Sequence, residues 1–490
     1  MARHRGLVTR RDALRLARHG AMLLPLAAGG CETLDRWFGE EKKPLVGTRE
    51  PVLPSRHGLL ADNPANRPVT LPPPSVNAAW AQTGEAPAHA PGHLAHGGGL
   101  SPVWRASIGE GSAYRRKIPA SPVIADGRVF TMDSDAVVSG FDQHSGAELW
   151  RVRTADKKNR STEAGGGVSV DGGTLYAATG LLDLVAIDPR SGKVGWRQRL
   201  PAPARAAPTI VGDRLYVPTQ DGQVLALARS DGSRQWAYQG PVVPTSMLGL
   251  PSPAFADGLL VAGFGSGQIA CLRAPSGAVT WTDGLAIQSG VSALLEISSM
   301  HGLPVISEGR VYAASLGGLF VSIDLRSGRR LWEREIASQN TPWLAGDWLF
   351  VLSSAQVLGA VHRDDGAVAW VQQLPLYKNE KDRSGPIQWT GPVLAGERLF
   401  LSGSNGEILT VNPLTGAVLA RQKLGAAPAV PAVVADRTLY VVTVDGTLLA
   451  LRRPPCRPPS SLPAGPMSAS PRCSTGSPGG VRHWSPTRPG

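Results

Sequence analysis

The chain has 490 residues, 42% of them hydrophobic, and carries a formal net charge of +12. Five of those charges come from residues 1–30 and five from residues 453–490, so the body is near +2; without a basic stripe of interleaved aromatics, this excludes nucleic acid as the expected partner. The four cysteines, Cys31, Cys271, Cys456 and Cys473, form neither a disulfide framework nor a Cys-x-x-Cys zinc pair.

The first element is an export signal over residues 1–30. Six arginines precede or enter the apolar run Ala21–Ala28, which ends at Gly29-Gly30-Cys31. That run is too short to span a bilayer. Thr9-Arg10-Arg11-Asp12-Ala13-Leu14-Arg15 is similar to a twin-arginine signal, and the general export route stays open beside it. Cys31 follows two small residues, as a bacterial lipobox cysteine does, although Ala28 stands where leucine is usual. In such signals the cysteine becomes the mature N-terminus and carries acyl chains, each buried CH₂ contributing about 0.8 kcal/mol of membrane affinity. The alternative is an ordinary signal peptide with an incidental cysteine.

Residues 31–99 are rich in proline, alanine, glycine and histidine and read as a flexible, lipid-anchored linker. His89, His93 and His96 have metal-like spacing, but Pro91 and Gly92 break any helix that would align them, so no metal is assigned.

From residue 100 a repeat sets in. Tryptophan returns at 104, 150, 196, 236, 281, 332 and 370, and from the second onward a glycine lies four residues before it. An eighth unit keeps Gly416 but has Ala420 in the tryptophan position. One unit, residues 165–196, shows the grammar. Val168–Val170, Thr174–Ala177, Leu184–Ile187 and Lys193–Trp196 are short β-prone runs separated by Asp-Gly-Gly, Gly and Arg-Ser-Gly turns. No stretch keeps a helical apolar period. Units begin near Ser121, Gly165, Ala207, Ser252, Gly302, Pro342, Gly391 and Pro431. The eighth has three strands and stops, and Leu100–Trp104 is expected to supply its outer strand. Closure by both chain ends leaves no open sheet edge in the ring. The fold class is therefore all-β: an eight-bladed propeller of four-stranded antiparallel blades over residues 100–453, in preference to an open sandwich or solenoid. Residues 454–490 hold ten prolines and no repeat grammar, and read as a disordered Pro/Ser-rich tail.

Val185-Ala186-Ile187-Asp188-Pro189-Arg190-Ser191-Gly192 and Ser322-Ile323-Asp324-Leu325-Arg326-Ser327-Gly328 resemble pyrroloquinoline quinone-type propeller repeats. With the lipobox, the eight units and the long stretch from Ser289 to Ile306, the chain over about residues 20–453 resembles the BamB family of outer-membrane protein assembly lipoproteins. The resemblance implies a non-enzymatic scaffold with no cofactor, lipid-anchored on the periplasmic face of the outer membrane. It implies one copy in a hetero-complex, binding the periplasmic domains of BamA and other assembly-machinery subunits. The family's contact loops fall on Ser246, Met247, Leu248, Gly249 and Leu250, and on Leu295, Glu296, Ser299, Met300 and His301. Leu248 stands where some members carry arginine, and Ser299-Met300-His301 where some carry an Asp-x-Asp pair. An apolar contact through Met247, Leu248 and Leu250 would then replace the charged one; mere packing of these loops is the alternative.

Two other readings share the fold. A quinone-dependent periplasmic dehydrogenase would need calcium ligands, a catalytic aspartate and an adjacent cysteine pair. The chain has no Cys-Cys dipeptide, and Asp171, Asp188, Asp213, Asp221 and Asp257 sit at turns where backbone bonding explains them. A periplasmic propeller with some other protein partner is the third reading.

Overall fold

The repeat builds four strands because each short run of β-branched and aromatic residues ends in a turn that demands glycine or aspartate. In blade 1 these are Val123–Ala125, Arg128–Met132, Val137–Asp142 and Glu148–Arg153, hydrogen-bonded in that order. The computed structural model describes residues 58–62, 67–114, 116–154, 165–243, 249–287 and 298–453. The expected export signal, Cys31 and the C-terminal tail lie outside the described residues, as do Ser246, Met247, Leu248, Leu295 and Glu296.

Eight four-stranded antiparallel sheets follow one another around a ring. Seven are built from consecutive strands. The eighth joins Val433–Ala435, Thr438–Val442 and Thr447–Leu451 to the N-terminal strand Pro102–Ser107. Trp104 pairs with Ala450 and Ser107 with Thr447, so the closing strand comes from the segment expected. Blade faces pack on each other to make the core. Between blades 2 and 3, for example, Tyr176, Ala178 and Leu184 meet Ile210, Leu215 and Leu225, all buried.

The tryptophan works as a latch to the next blade. Trp150 of blade 1 packs on Gly192 in the last turn of blade 2, and its Nε1–H donates to Pro189 O at 3.0 Å. Trp104, Trp236, Trp281, Trp332 and Trp370 donate likewise to the following blade, at Gln143, Ala274, Leu325, Arg363 and Pro413. Gly192 is required twice over. Its φ is +73°, and a Cβ there would lie 2.8 Å from the Trp150 ring. A register shift beside each tryptophan, as between Gly140 and Phe141 in blade 1, inserts one extra residue into the outer strand. In most blades an aromatic on the second strand meets the same ring, such as Phe130 against Trp150 at 5.8 Å.

The linker reading is corrected for residues 67–99. Instead of a free tether, residues 75–97 run as an extended strap around one end of the central channel. They bond to the inner strand of every blade in turn. Asn77 Nδ2 donates to Val434 O of blade 8. Trp80 exchanges both backbone bonds with Ile124 of blade 1. Val170 N–H of blade 2 donates to Ala81 O. The Gln82 side chain bonds both backbone groups of Ile210 in blade 3. Phe255 of blade 4 and Ile306 of blade 5 donate to Pro87 O and Ala88 O. Trp343 Nε1 of blade 6 donates to Gly92 O, and Gly396 N–H of blade 7 to Leu94 O. The physical reason is the inner edge: each innermost strand presents unpaired N–H and C=O groups to the channel, and an extended segment satisfies them. Trp80, His89, His93 and Leu94 are buried in consequence.

Upstream, residues 58–62 lie on the wall of blades 5 and 6. Gly58 N–H donates to Glu335 O, Leu59 packs against Gly359, and the Asp62 carboxylate takes bonds from Val368 N–H and Arg334.

Candidate functional site

The two ends of the ring differ. At the strap end, the first and second strands of a blade are joined by tight hairpins, of two residues in blade 1, between Ala125 and Arg128. At the other end run the connections from each outer strand to the next inner strand, and these are the long ones. One of them carries an extra hairpin, Tyr377–Asn379 with Ser384–Pro386, whose charged tip is exposed. Function on a propeller gathers where loops are long on a rigid scaffold.

These connections also frame a chamber of about 340 Å³ in the channel. Ser121, Arg205, Leu250, Ser252, His301 and Asn340 line its walls. Trp80, Gly84 and His89 of the strap form its floor. Hydroxyls bind the wall together across blades. Ser121 Oγ donates to Pro431 O at 2.8 Å, Ser169 Oγ to Pro208 O at 2.7 Å, and Thr209 Oγ1 to Pro253 O at 2.6 Å. Ser252 Oγ returns a bond to Ala207 O at 2.9 Å. The carbonyls of Pro431, Pro208 and Pro253 are thus all satisfied from a neighbouring blade.

Of the residues expected at a contact, Gly249 and Leu250 stand at the rim and are partly exposed. Leu250 N–H donates to Arg205 O at 3.2 Å, which ties the loop to blade 3. The His301 ring lies against Gly249, so the two expected loops do meet. Burial pushes the His301 imidazole below the usual histidine range, leaving it neutral at neutral pH.

Ser299 and Met300 are placed differently from the expectation. Both are fully buried. Met300 belongs to the core between blades 4 and 5 with Ile269, Cys271 and Trp281, and its sulfur fills space that Gly263 leaves open. Met300 N–H donates to Phe264 O, and Leu316 N–H to Ser299 O. These two residues anchor the loop from beneath. Only Gly249, Leu250 and His301, among the described members of the expected set, offer surface.

The three spaced histidines do not converge: His89 goes to blade 5, and His93 and His96 go to separate partners on blade 7. His89 Nδ1–H donates to Pro304 O at 2.8 Å, and burial lowers its pKa to about 4. His93 places Nδ1 at 2.7 Å from Pro72 O while Nε2 accepts from Glu397 N–H. His96 meets Phe400 edge-on. Cys271 is a core thiol whose pKa burial pushes up to about 12, so it is no nucleophile. Asp188 accepts from the N–H groups of Arg190 and Ser191, the turn role expected of it.

Arg205, Asn340 and the strap floor escaped the sequence reading. The repeat grammar covers strands and turns, whereas these residues sit in connections of unequal length.

A family model described as outer membrane protein assembly factor BamB matches residues 101–164 and 134–372, more than half of the chain. The chain belongs to the BamB family. It is 26% identical to BamB of Yersinia pestis over 359 residues, covering 72% of this chain and 88% of that one. It is likewise 26% identical to BamB of Escherichia coli K12 over 358 residues, with 72% and 88% covered. The crystal structure of BamB from Moraxella catarrhalis superposes with a TM-score of 0.56 at 20% identity, covering 72% of this chain and all of that one. Quinohemoprotein alcohol dehydrogenase from Comamonas testosteroni superposes at 0.59 with 14% identity, covering 79% and 83%, which is a likeness of fold.

Proposed function

We propose that this BamB-family propeller is a non-catalytic scaffold of outer-membrane protein assembly, held to the membrane through Cys31 and docking BamA with its long-loop face. Family membership supports the role. The meeting of Gly249 and His301, with Leu250 beside them, supports the place, because it makes one surface of two loops separated in sequence. Met247 and Leu248 extend the same loop and would add apolar area. The strap occupies the opposite end of the channel, which favours the loop face as the place of contact.

Affinity purification of the full chain from gently solubilised membranes tests this. BamA should co-purify, and Leu248→Glu combined with Leu250→Glu should reduce its recovery roughly tenfold, as desolvating a new charge at an interface costs more than 1.4 kcal/mol. Cys31→Ala should release the protein from the membrane fraction. Membrane retention without BamA would overturn the scaffold reading, and a quinone absorbance in the purified protein would favour the dehydrogenase one.

A further inference from the structure

The latch series has a gap. Eight seams close the ring, and seven carry a tryptophan. The seam between blades 7 and 8 has Ala420 instead. The reason lies in blade 8. Every latch tryptophan packs on the glycine of the next blade's last turn, the hairpin between its third and fourth strands. Blade 8 has no such hairpin, because its fourth strand, Pro102–Ser107, comes from the other end of the chain. A tryptophan at 420 would find no turn to rest on.

The strap begins and ends at this seam. Asn77, at its start, bonds Val434 O and receives Asp436 N–H in blade 8. Leu94, near its end, pairs with Ala395 in blade 7, and Gly97 N–H donates to Arg437 O in blade 8. The two ends also pair with each other. Ser75 N–H donates to His93 O, and Ala95 N–H to Ser75 O. Phe400 occupies the position that faces the latch tryptophan in other blades, and here His96 of the strap meets it at 5.2 Å.

We propose that residues 75–97 are a clasp: an intramolecular element that crosses over itself at the blade 7–blade 8 seam and holds shut the one joint that lacks a tryptophan latch. Its passage around the other six blades aligns them, but its closing work is concentrated at this junction.

Hydrogen exchange on the full-length protein tests the proposal, with Asn77→Ala plus Leu94→Ala as the clasp variant and Gln82→Ala as a strap control at blade 3. The clasp variant should raise exchange roughly tenfold or more in Val418–Lys423 and Thr438–Val442, while Arg214–Pro218 of blade 3 keeps its protection. Gln82→Ala should leave the 7–8 seam unchanged. Asn77→Ala alone, which removes hydrogen bonds and no core volume, should open the same segments to a smaller extent and decides the matter if the double variant does not fold. An even rise around the ring, or seam opening in Gln82→Ala equal to that in the clasp variant, would overturn it.

Discussion

Gly192 and Trp150 show how much one repeated pair can specify. The glycine supplies a turn with positive φ and, by lacking a Cβ, a seat for the preceding blade's indole. Trp281→Ala should lower unfolding stability by about 3–5 kcal/mol, because it empties a buried site in the blade 4–blade 5 core. Urea denaturation reads this directly. Ala420→Trp should give no gain, since its seat is missing; a rise in the midpoint would refute the account of the gap. Met300→Glu should likewise unfold the protein, as a carboxylate would enter a site with no exposure. A well-folded Met300→Glu protein that has lost only partner binding would return this residue to the surface.

The strap belongs to a different order of information from the blades. Blade strands were legible because their apolar residues alternate and their turns need particular residues. The strap holds on mainly through backbone hydrogen bonds, which leave no side-chain period in the sequence, so a Pro/Ala/Gly-rich stretch looked like a tether. Trp80, isolated in that stretch, was the one visible hint. Met300 misled for a related reason: its neighbours in the chain are loop residues, and the cavity it fills is made by Gly263, more than thirty residues away. The strap also carries a pH response. His89 is neutral in the fold because burial lowers its pKa to about 4 from an unfolded value near 6.5. Between those values the unfolded chain takes up a proton and the folded one does not, so stability falls as pH drops from about 6.5 to about 4, by an order of 3 kcal/mol. Glu85 on the same strap, whose pKa burial raises, works against this. Replacing His89 by glutamine should flatten the dependence of the melting temperature over that range.

At the scale of the molecule, the ring count and its closure by Pro102–Ser107 followed from the repeat alone, since eight units with seven fourth strands leave one strand to be found. The proposed docking face reads in the sequence as a pair of loops, of whose described members only Gly249, Leu250 and His301 offer surface. The docking of residues 58–62 on the side wall bears on the proposed attachment through Cys31. If Cys31 is the anchor, as proposed, it stands 27 residue steps from Gly58, a reach of at most about 95 Å, where attachment only from Pro102 would allow about 250 Å. A tethered domain's local concentration at a membrane-bound partner falls as roughly the three-halves power of leash length, so this shortening raises it about fourfold. With that anchor, the point of pull would lie on the side wall, between blades 5 and 6, where strain would load Asp62 and Arg334 before it reached the clasp.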